Sequence, residues 1–432
     1  MPLPAKRRHR ETDGSDEYEQ SSSDGSIINS RPLEDDTTPK APRQYDKQAP
    51  RQYGKLFQDF DQDGHSTSEA SSSRSRRSSR SKASSPSKKQ RNAALEEETG
   101  YDIYSFAQFR EWQPEPLKNL KHDLHLIQRG NRIIPIDLKD KVKLIETLDQ
   151  RILTRRKIAT LDEYAYYDKI NASVLSAAVQ YQYPDQGFVD DMVQRAALCL
   201  SENEAEASWN MDVHGPLLTW VFRKEKRVSR FTDYRYCPST HIVTDFKPRA
   251  SSNLVDFCIH IRPAEESPAQ LSIKEICKSR PLGTINHVDG GNLNKDPIVI
   301  SIETKKHGEE YGKAVTQMAT WHSAQLRSLR YTSDDGRLPP RTLTQIQFLP
   351  GIIVQGHVWS FVATVERGGR AVLFHQAPIG NTNSQEGILK LLLSLQHLKY
   401  WAEEVYWPAF QADIIGSTEM PAVNLEDNGK SA

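Results

Sequence analysis

Cysteine is scarce in this sequence, and its four copies, Cys199, Cys237, Cys258 and Cys277, show no CxxC spacing. They do not outline a disulfide framework, so we expect the reduced thiols of an intracellular protein. Long apolar runs are missing too, since no stretch approaches the ~18–20 residues that a membrane span needs. The first ten residues also lack the apolar core of a signal peptide. These absences predict an intracellular protein that does not enter a membrane.

An excess of charge of either sign is also missing. Lys and Arg together number 57, as do Asp and Glu. Net charge therefore indicates nothing about nucleic-acid binding, which only local clusters of charge can predict. Hydrophobic residues make up only 37% of the chain. This low share predicts that part of the chain does not pack into a core.

That part is residues 1–99, which are of low complexity and contain the repeat Ala41–Lys47 and Ala49–Lys55. So little apolar surface cannot offset the entropy of ordering, and we predict a disordered, Ser/Arg-rich arm. Two basic clusters, Lys6–Arg10 and Arg74–Arg91, are typical of nuclear-localisation signals or nucleic-acid contacts. A solvated, phosphorylated tail is the alternative interpretation.

Residues 100–411 carry the patterns of an ordered domain, and 412–432 are predicted to be a flexible tail. Apolar spacings of three and four predict helices over 137–159, 173–181, 190–200, 201–220, 272–278, 309–330 and 384–407. Alternation and β-branched residues predict strands over 254–261, 297–305, 351–355, 359–366 and 371–375, with a hairpin turn at Gly368-Gly369. This order favours an α/β fold with one central mixed β-sheet flanked by helices, after a helical N-terminal elaboration.

Two local features bear on the helix over 201–220. Ser201–Glu204 has the pattern of a capping box, which predicts that the helix opens there. Gly215-Pro216 should bend or interrupt the helix further on. Glu206 and Asn210 are one turn apart and fall on one face, which places a carboxylate beside the apolar stripe.

The strand Pro297–Lys305 carries the most informative polar pattern. Because strand side chains alternate, Glu303 and Lys305 lie on one face and the isoleucines on the other. Asp256 lies on the strand 254–261, whose apolar face is likewise separate from its polar face. If these two strands are neighbours, the two carboxylates and the amine converge at a common edge.

Such a convergence predicts a particular chemistry. Two carboxylates and the backbone carbonyl of Thr304 make a hard oxygen site suited to Mg²⁺ or Mn²⁺. A bound metal of this kind lowers the pKa of water and balances charge that develops on a phosphodiester. Lys305 would position the attacking water. Glu206 would add a metal ligand and Gln317 would hold the nucleophile or a phosphate oxygen.

Other interpretations of these residues stay open. Glu202, Glu204 and Asp212 are alternatives to Glu206 as the helical acid. Gln317 could instead cap a polar helix face. The acids could also be surface charges at strand ends, without a ligand.

At these residues the chain resembles the PD-(D/E)xK nuclease superfamily, in particular its fungal nuclease-like domain proteins. The matching segments, over roughly residues 160–410, are Glu206–Leu218, Val255–Phe257, Glu303–Lys305 and Gln317–Trp321. The resemblance implies a restriction-endonuclease-like core. It also implies that Asp256, Glu303 and Glu206 bind Mg²⁺ or Mn²⁺, and that Lys305 and Gln317 complete the catalytic set.

The resemblance implies a nuclease that acts on nucleic acid. It also leaves an alternative, a nuclease-like fold without turnover that serves as an accessory protein in a fungal secondary-metabolite pathway. A third interpretation is a scaffold whose basic arm makes the nucleic-acid contacts. Val255 replaces the nominal proline, and the long segment between Asp256 and Glu303 requires an insertion, predicted over Pro263–Asn294.

Overall fold

A computed structural model describes residues 100–139, 163–167, 173–223, 231–247, 255–309, 311–332 and 340–416. The predicted arm, with its repeat and both basic clusters, lies outside the described residues. So do most of the predicted helix 137–159 and the tail from residue 417. The nuclear location that the basic clusters indicate therefore stays a prediction.

Seven strands of the described chain form one mixed sheet. They are β1 (Tyr101–Ser105), β2 (Thr232–Tyr236), β3 (Phe257–Ile261), β4 (Ile298–Lys305), β5 (Leu349–Gln355), β6 (Val358–Arg367) and β7 (Arg370–Asn381). Their order across the sheet is β1-β7-β6-β5-β4-β3-β2. The pairs β1/β7 and β4/β5 are parallel and the other neighbours are antiparallel. Two short ladders, Ile134–Pro135 with Tyr166–Tyr167 and His241–Ile242 with Val288–Asp289, lie apart from this sheet.

Helices flank the sheet. They are α1 (Glu115–Arg129), α2 (Gln186–Ser201), α3 (Glu206–Trp209), α4 (Gly215–Phe222), α5 (Pro268–Lys278), α6 (Tyr311–Leu329), α7 (Gln385–Trp401) and α8 (Trp407–Phe410). Helix α6 packs on β4 and β5, and α7 packs on β7. Every residue of β4 is buried, as expected of a central strand covered on both faces. In the parts of the chain that the structure describes, no helix has the length and apolarity needed to cross a membrane.

The predicted α/β class, a central mixed sheet flanked by helices, is confirmed. The predicted strands are found as β3 to β7. The turn between β6 and β7 has Gly368 and Gly369 at φ of 57° and 82°. A side chain at either position would be strained there, so the paired glycines account for the hairpin.

The predicted helix over residues 173–181 is wrong. This segment consists of turns and bends, because its polar groups bond to neighbouring segments. The Ser173 hydroxyl donates to the Arg132 carbonyl and accepts the Leu175 N–H. The Tyr181 hydroxyl lies 2.9 Å from Nδ1 of His397 on α7. Tertiary contacts override the local apolar spacing here.

The capping box predicted at Ser201–Glu204 is also wrong. Ser201 ends α2, and its hydroxyl donates backward to the Leu198 carbonyl. Asn203 has a left-handed backbone conformation with φ of 52°. The chain therefore changes direction before α3 begins at Glu206. The serine therefore closes one helix and does not open the next.

The irregularity predicted at Gly215-Pro216 takes the form of a π-turn. Residues Asn210–His214 form that turn between α3 and α4, and the Gly215 N–H donates to the Asn210 carbonyl five residues back. A Cβ at Gly215 would lie 2.9 Å from that same oxygen. The helical path continues through the glycine, and the extra residue changes which side chains face the sheet.

Candidate active site

Strand β4 carries Glu303 and Lys305 into the interior. Glu303 is 1% exposed and Lys305 is 9% exposed. Their side chains meet, with Lys305 Nζ 2.6 Å from Glu303 Oε1 and 2.6 Å from the Thr304 carbonyl oxygen. A solvated strand end is therefore excluded for this pair. The alternation of the strand brings an acid and an amine to one buried point.

Asp256 reaches the same place from the neighbouring strand. Strands β3 and β4 are antiparallel, and the Asp256 N–H donates to the Ile302 carbonyl. Its Oδ2 accepts both the Thr304 N–H and the Thr304 hydroxyl, each at 2.9 Å. The two strands are adjacent despite the long segment between them, which holds α5 and a loop. Asp256 is only 8% exposed.

The helical acid that joins these residues is Glu206. As the first residue of α3, it places Oε2 3.2 Å from Lys305 Nζ. Among the alternatives, Glu204 accepts a hydrogen bond from Ser208, and Glu202 and Asp212 are exposed. The structure thus gathers Asp256, Glu303, Lys305 and Glu206 at one site.

Gln317 lies in the second turn of α6 and is half-buried. The contacts that join the other four residues are made without it. One turn later, the Trp321 indole N–H donates to the Ser301 hydroxyl on β4 at 2.9 Å, which fixes this side of α6 against the strand. Trp321 is fully buried and is a core residue.

Two residues at the site were missed by sequence reasoning, namely Asn210 and His214 of the π-turn. Asn210 Nδ2 lies 3.5 Å from Asp256 Oδ1, at the long limit of a hydrogen bond, and its Oδ1 lies 2.9 Å from His214 Nδ1. The one available signal was the position of Asn210, which shares a helix face with Glu206. His214 carried no signal because the π-turn that orients it is not visible in apolar spacing.

Burial and like charge together set the protonation of the acids. Burial raises the pKa of Glu303 well above its ordinary value; Lys305 opposes this shift, and the charges of Asp256 and Glu206 add to it. The pKa values of Asp256 and Glu206 are also raised, chiefly by burial. Burial alone would lower the pKa of Lys305, but Glu303 and the other two acids raise it above its ordinary value. Lys305 therefore stays protonated and is the cation that balances the acids.

The donor set fits a hard divalent cation. Among the described residues, no three His, Cys, Asp or Glu side chains are grouped so as to hold a metal ion. Lys305 Nζ contacts both Glu303 and Glu206, at 2.6 Å and 3.2 Å. Yet Glu303 Oε2 is buried and has no hydrogen-bond partner in the described structure. An unpartnered buried carboxylate oxygen is a costly feature that a cation at the site would relieve.

A comparison with known families agrees with this geometry. A protein-family model for the PD-(D/E)XK nuclease superfamily matches residues 159–407, which is more than half of the chain. No curated protein and no solved structure matches the chain. The matched range contains Asp256, Glu303 and Lys305. It also contains the helical acid Glu206 and Gln317. The chain belongs to the PD-(D/E)XK nuclease superfamily.

Proposed function

We propose that the protein is a divalent-metal-dependent nuclease that hydrolyses phosphodiester bonds of nucleic acid. The observation that carries this proposal is that Asp256, Glu303, Lys305 and Glu206 meet where β4 ends and the neighbouring strand β3 begins. Family membership supports the same chemistry, because the range that matches the superfamily, residues 159–407, contains all four of these residues.

In this proposal Asp256, Glu303 and Glu206 hold Mg²⁺ or Mn²⁺ through carboxylate oxygens, together with the Thr304 carbonyl. When bound, such a cation would supply an acidic water and would neutralise charge on the phosphate. Lys305 stays protonated, so it orients a water molecule and donates hydrogen bonds to phosphate oxygens. The Thr304 N–H and hydroxyl keep Asp256 in place, and Gln317 on α6 contacts the phosphate.

The test combines metal binding with cleavage. Mn²⁺ binding is measured by calorimetry, and cleavage of single-stranded and duplex DNA and RNA is measured with Mg²⁺, with Mn²⁺ and with chelator. We expect Asp256→Asn and Glu303→Gln each to weaken Mn²⁺ binding and to slow cleavage on the order of 10²–10³-fold, because each removes a carboxylate that would hold the cation balancing charge on the reacting phosphate.

Glu202→Gln is the matched control. It changes an exposed acid near the same helix, so metal binding and cleavage should equal those of the wild-type protein. Lys305→Ala should slow cleavage about 10²–10⁴-fold while Mn²⁺ binding persists, as expected for a group that handles the water and phosphate. Mn²⁺ binding that survives in both acid variants, or no cleavage by the wild-type protein with either metal, would overturn the proposal.

A further inference from the structure

A cleft of about 600 Å³ opens beside the acidic site and takes no part in the chemistry proposed above. It lies between the N-terminal part of α2, the π-turn with α4, and the edge strand β2. Five of its eleven lining residues are aromatic. The aromatic residues are Phe188, Trp220, Tyr234, Tyr236 and Phe257. A volume of this size is within the range of ligand-binding clefts.

The aromatic residues form two walls. Phe188 and Trp220 lie with ring centroids 6.0 Å apart and planes inclined by 29°. On the other side Tyr236 and Phe257 lie with centroids 4.9 Å apart. Tyr236 is 39% exposed, so its ring is open to a ligand from solvent. Two aromatic walls favour a flat ring as the occupant.

The charges of the described lining residues do not favour an anionic group as that occupant. Arg223 is the one charged residue among the described residues that line it. Its guanidinium lies 4.1 Å from the Tyr234 ring centroid, and its Nε is 2.6 Å from Asp233 Oδ1. The aspartate pairs with the arginine, so the described lining offers a phosphate or an acidic peptide no unpaired positive charge. A neutral, flat, polar ring is the complementary ligand.

The cleft adjoins the acidic site through Asn210. Asn210 lines the cleft, and its side-chain amide lies 3.5 Å from Asp256 Oδ1. Phe257 directly follows Asp256 and forms part of the cleft wall. A strand whose phosphate lies at the acids would therefore have a neighbouring base within reach of the aromatic rings.

We infer that this cleft binds one unpaired nucleobase of the strand that is cut. The inference rests on the proposed nuclease function and adds the class of substrate, namely a single strand, a bulge or a frayed end in place of a fully paired duplex. Stacking on aromatic side chains recognises any base and requires that the base leave its pair. The substrate is thus selected by the cost of unpairing, which is smallest where the base is already free.

The experiment measures binding separately from cleavage. Fluorescence anisotropy in chelator gives the affinity for a blunt duplex, for the same duplex with one unpaired base, and for the single strand, each as DNA and as RNA. The wild-type protein should bind the unpaired-base and single-stranded forms about 5- to 100-fold more tightly than the duplex, as base stacking predicts. Tyr236→Ala should remove most of this preference.

Phe231→Ala is the matched control, because Phe231 flanks the other end of β2 and is 40% exposed, close to the 39% of Tyr236. Its ring contacts Trp407 and does not line the cleft, so the preference should persist in this variant. Circular dichroism confirms that both variants are folded. Trp220→Leu gives a second test from the opposite wall.

Two results separate this inference from the nuclease proposal. If metal-dependent cleavage occurs but the duplex is bound as tightly as the unpaired form, or if Tyr236→Ala and Trp220→Leu keep the preference, the cleft inference is wrong and the nuclease proposal stands. If no cleavage occurs with either metal but the preference is present and depends on Tyr236, the cleft binds a base and only catalysis is refuted. A difference in affinity between the DNA and RNA forms would show whether the strand that binds contains deoxyribose or ribose.

Discussion

Lys305 is the residue that determines the charge balance of the site. Its ammonium lies 2.6 Å from Glu303 Oε1 and 3.2 Å from Glu206 Oε2. Glu303 is almost fully buried, so without this cation its carboxylate would either stay charged at a high cost or take up a proton. The same lysine therefore acts as a structural counter-ion in the metal-free protein.

We predict that Lys305→Met destabilises the metal-free protein and that Mn²⁺ partly reverses the effect. Breaking a buried ion pair from one side costs about 3–5 kcal/mol, and a divalent cation would replace the missing positive charge. Urea unfolding in chelator and in Mn²⁺ measures both effects. The half-buried neighbour Lys306 gives the control, since Lys306→Met should change the free energy of unfolding by less than about 1 kcal/mol. Equal destabilisation with and without Mn²⁺ would contradict the prediction.

At the scale of single residues, much of the site follows from sequence. The alternation of Pro297–Lys305 placed Glu303 and Lys305 on one face, and the structure shows them in contact. Asn210 and His214 did not follow, because their positions depend on a π-turn. The contact between Glu206 and Lys305 joins distant parts of the chain, so local pattern favoured Glu206 but left Glu202, Glu204 and Asp212 open as alternatives.

At the scale of elements, the π-turn Asn210–His214 connects the cleft with the acids. It exists because residue 215 has no side chain, since a Cβ there would lie 2.9 Å from the Asn210 carbonyl oxygen. The turn presents Asn210 to Asp256 and also to the cleft. Gly215 thus determines that Asn210 faces both Asp256 and the cleft.

We predict that Gly215→Ala destabilises the protein by about 1–3 kcal/mol, because the added methyl forces the backbone to move. The shift should also displace Asn210 from Asp256 and slow cleavage. Gly312→Ala in α6 is the control, since a Cβ there would have no described atom within 4 Å and a helical alanine is favoured over glycine by about 0.5–1 kcal/mol. Urea unfolding of both variants measures the opposite signs expected. A Gly215→Ala protein as stable as the wild type would show that the π-turn is not required.

The element scale also shows where sequence reasoning fails. Strands β3 to β7 were predicted because alternation and β-branched residues are local properties. Strand β1 was missed, because Tyr101–Ser105 pairs with β7 at the far end of the chain. The false helix over 173–181 has the same cause, since Tyr181 bonds to His397 on α7 and Ser173 bonds to Arg132. Contacts between distant segments decided each of these elements.

At the scale of the whole molecule, buried histidines link stability to pH. His214, His287 and His322 are each 0% exposed, and each has a ring nitrogen without a partner among the described residues. Burial lowers the pKa of His214 and of His322 to about 3, and it lowers the pKa of His287 well below its ordinary value. The folded protein thus keeps these rings neutral at a pH where the unfolded chain protonates them.

The sign of the effect follows from proton binding. Between the folded pKa and the unfolded value near 6.5, the unfolded chain binds more protons, so the free energy of unfolding falls as pH falls. For His214 and His322, whose pKa in the folded protein is about 3, the fall from pH 7 to 5.5 should cost about 1.3 kcal/mol each. These two together reach about 2.6 kcal/mol, a sizeable part of the 5–15 kcal/mol typical of a folded protein, and His287 acts in the same direction. Glu303 acts in the opposite sense, because its raised pKa lets the folded state take up the proton first.

Because these contributions oppose each other, the comparison must be made between the wild type and a variant. We predict that His322→Gln, which keeps a hydrogen-bonding group near the Thr364 hydroxyl, loses about 1.3 kcal/mol less than the wild type when the pH falls from 7 to 5.5. Urea unfolding at the two pH values measures this difference. His125→Gln is the control, since it makes the same replacement of an imidazole by an amide at an exposed position outside the core. If His322→Gln and the wild type lose the same free energy over this range, the buried imidazole is not what makes the fold sensitive to acid.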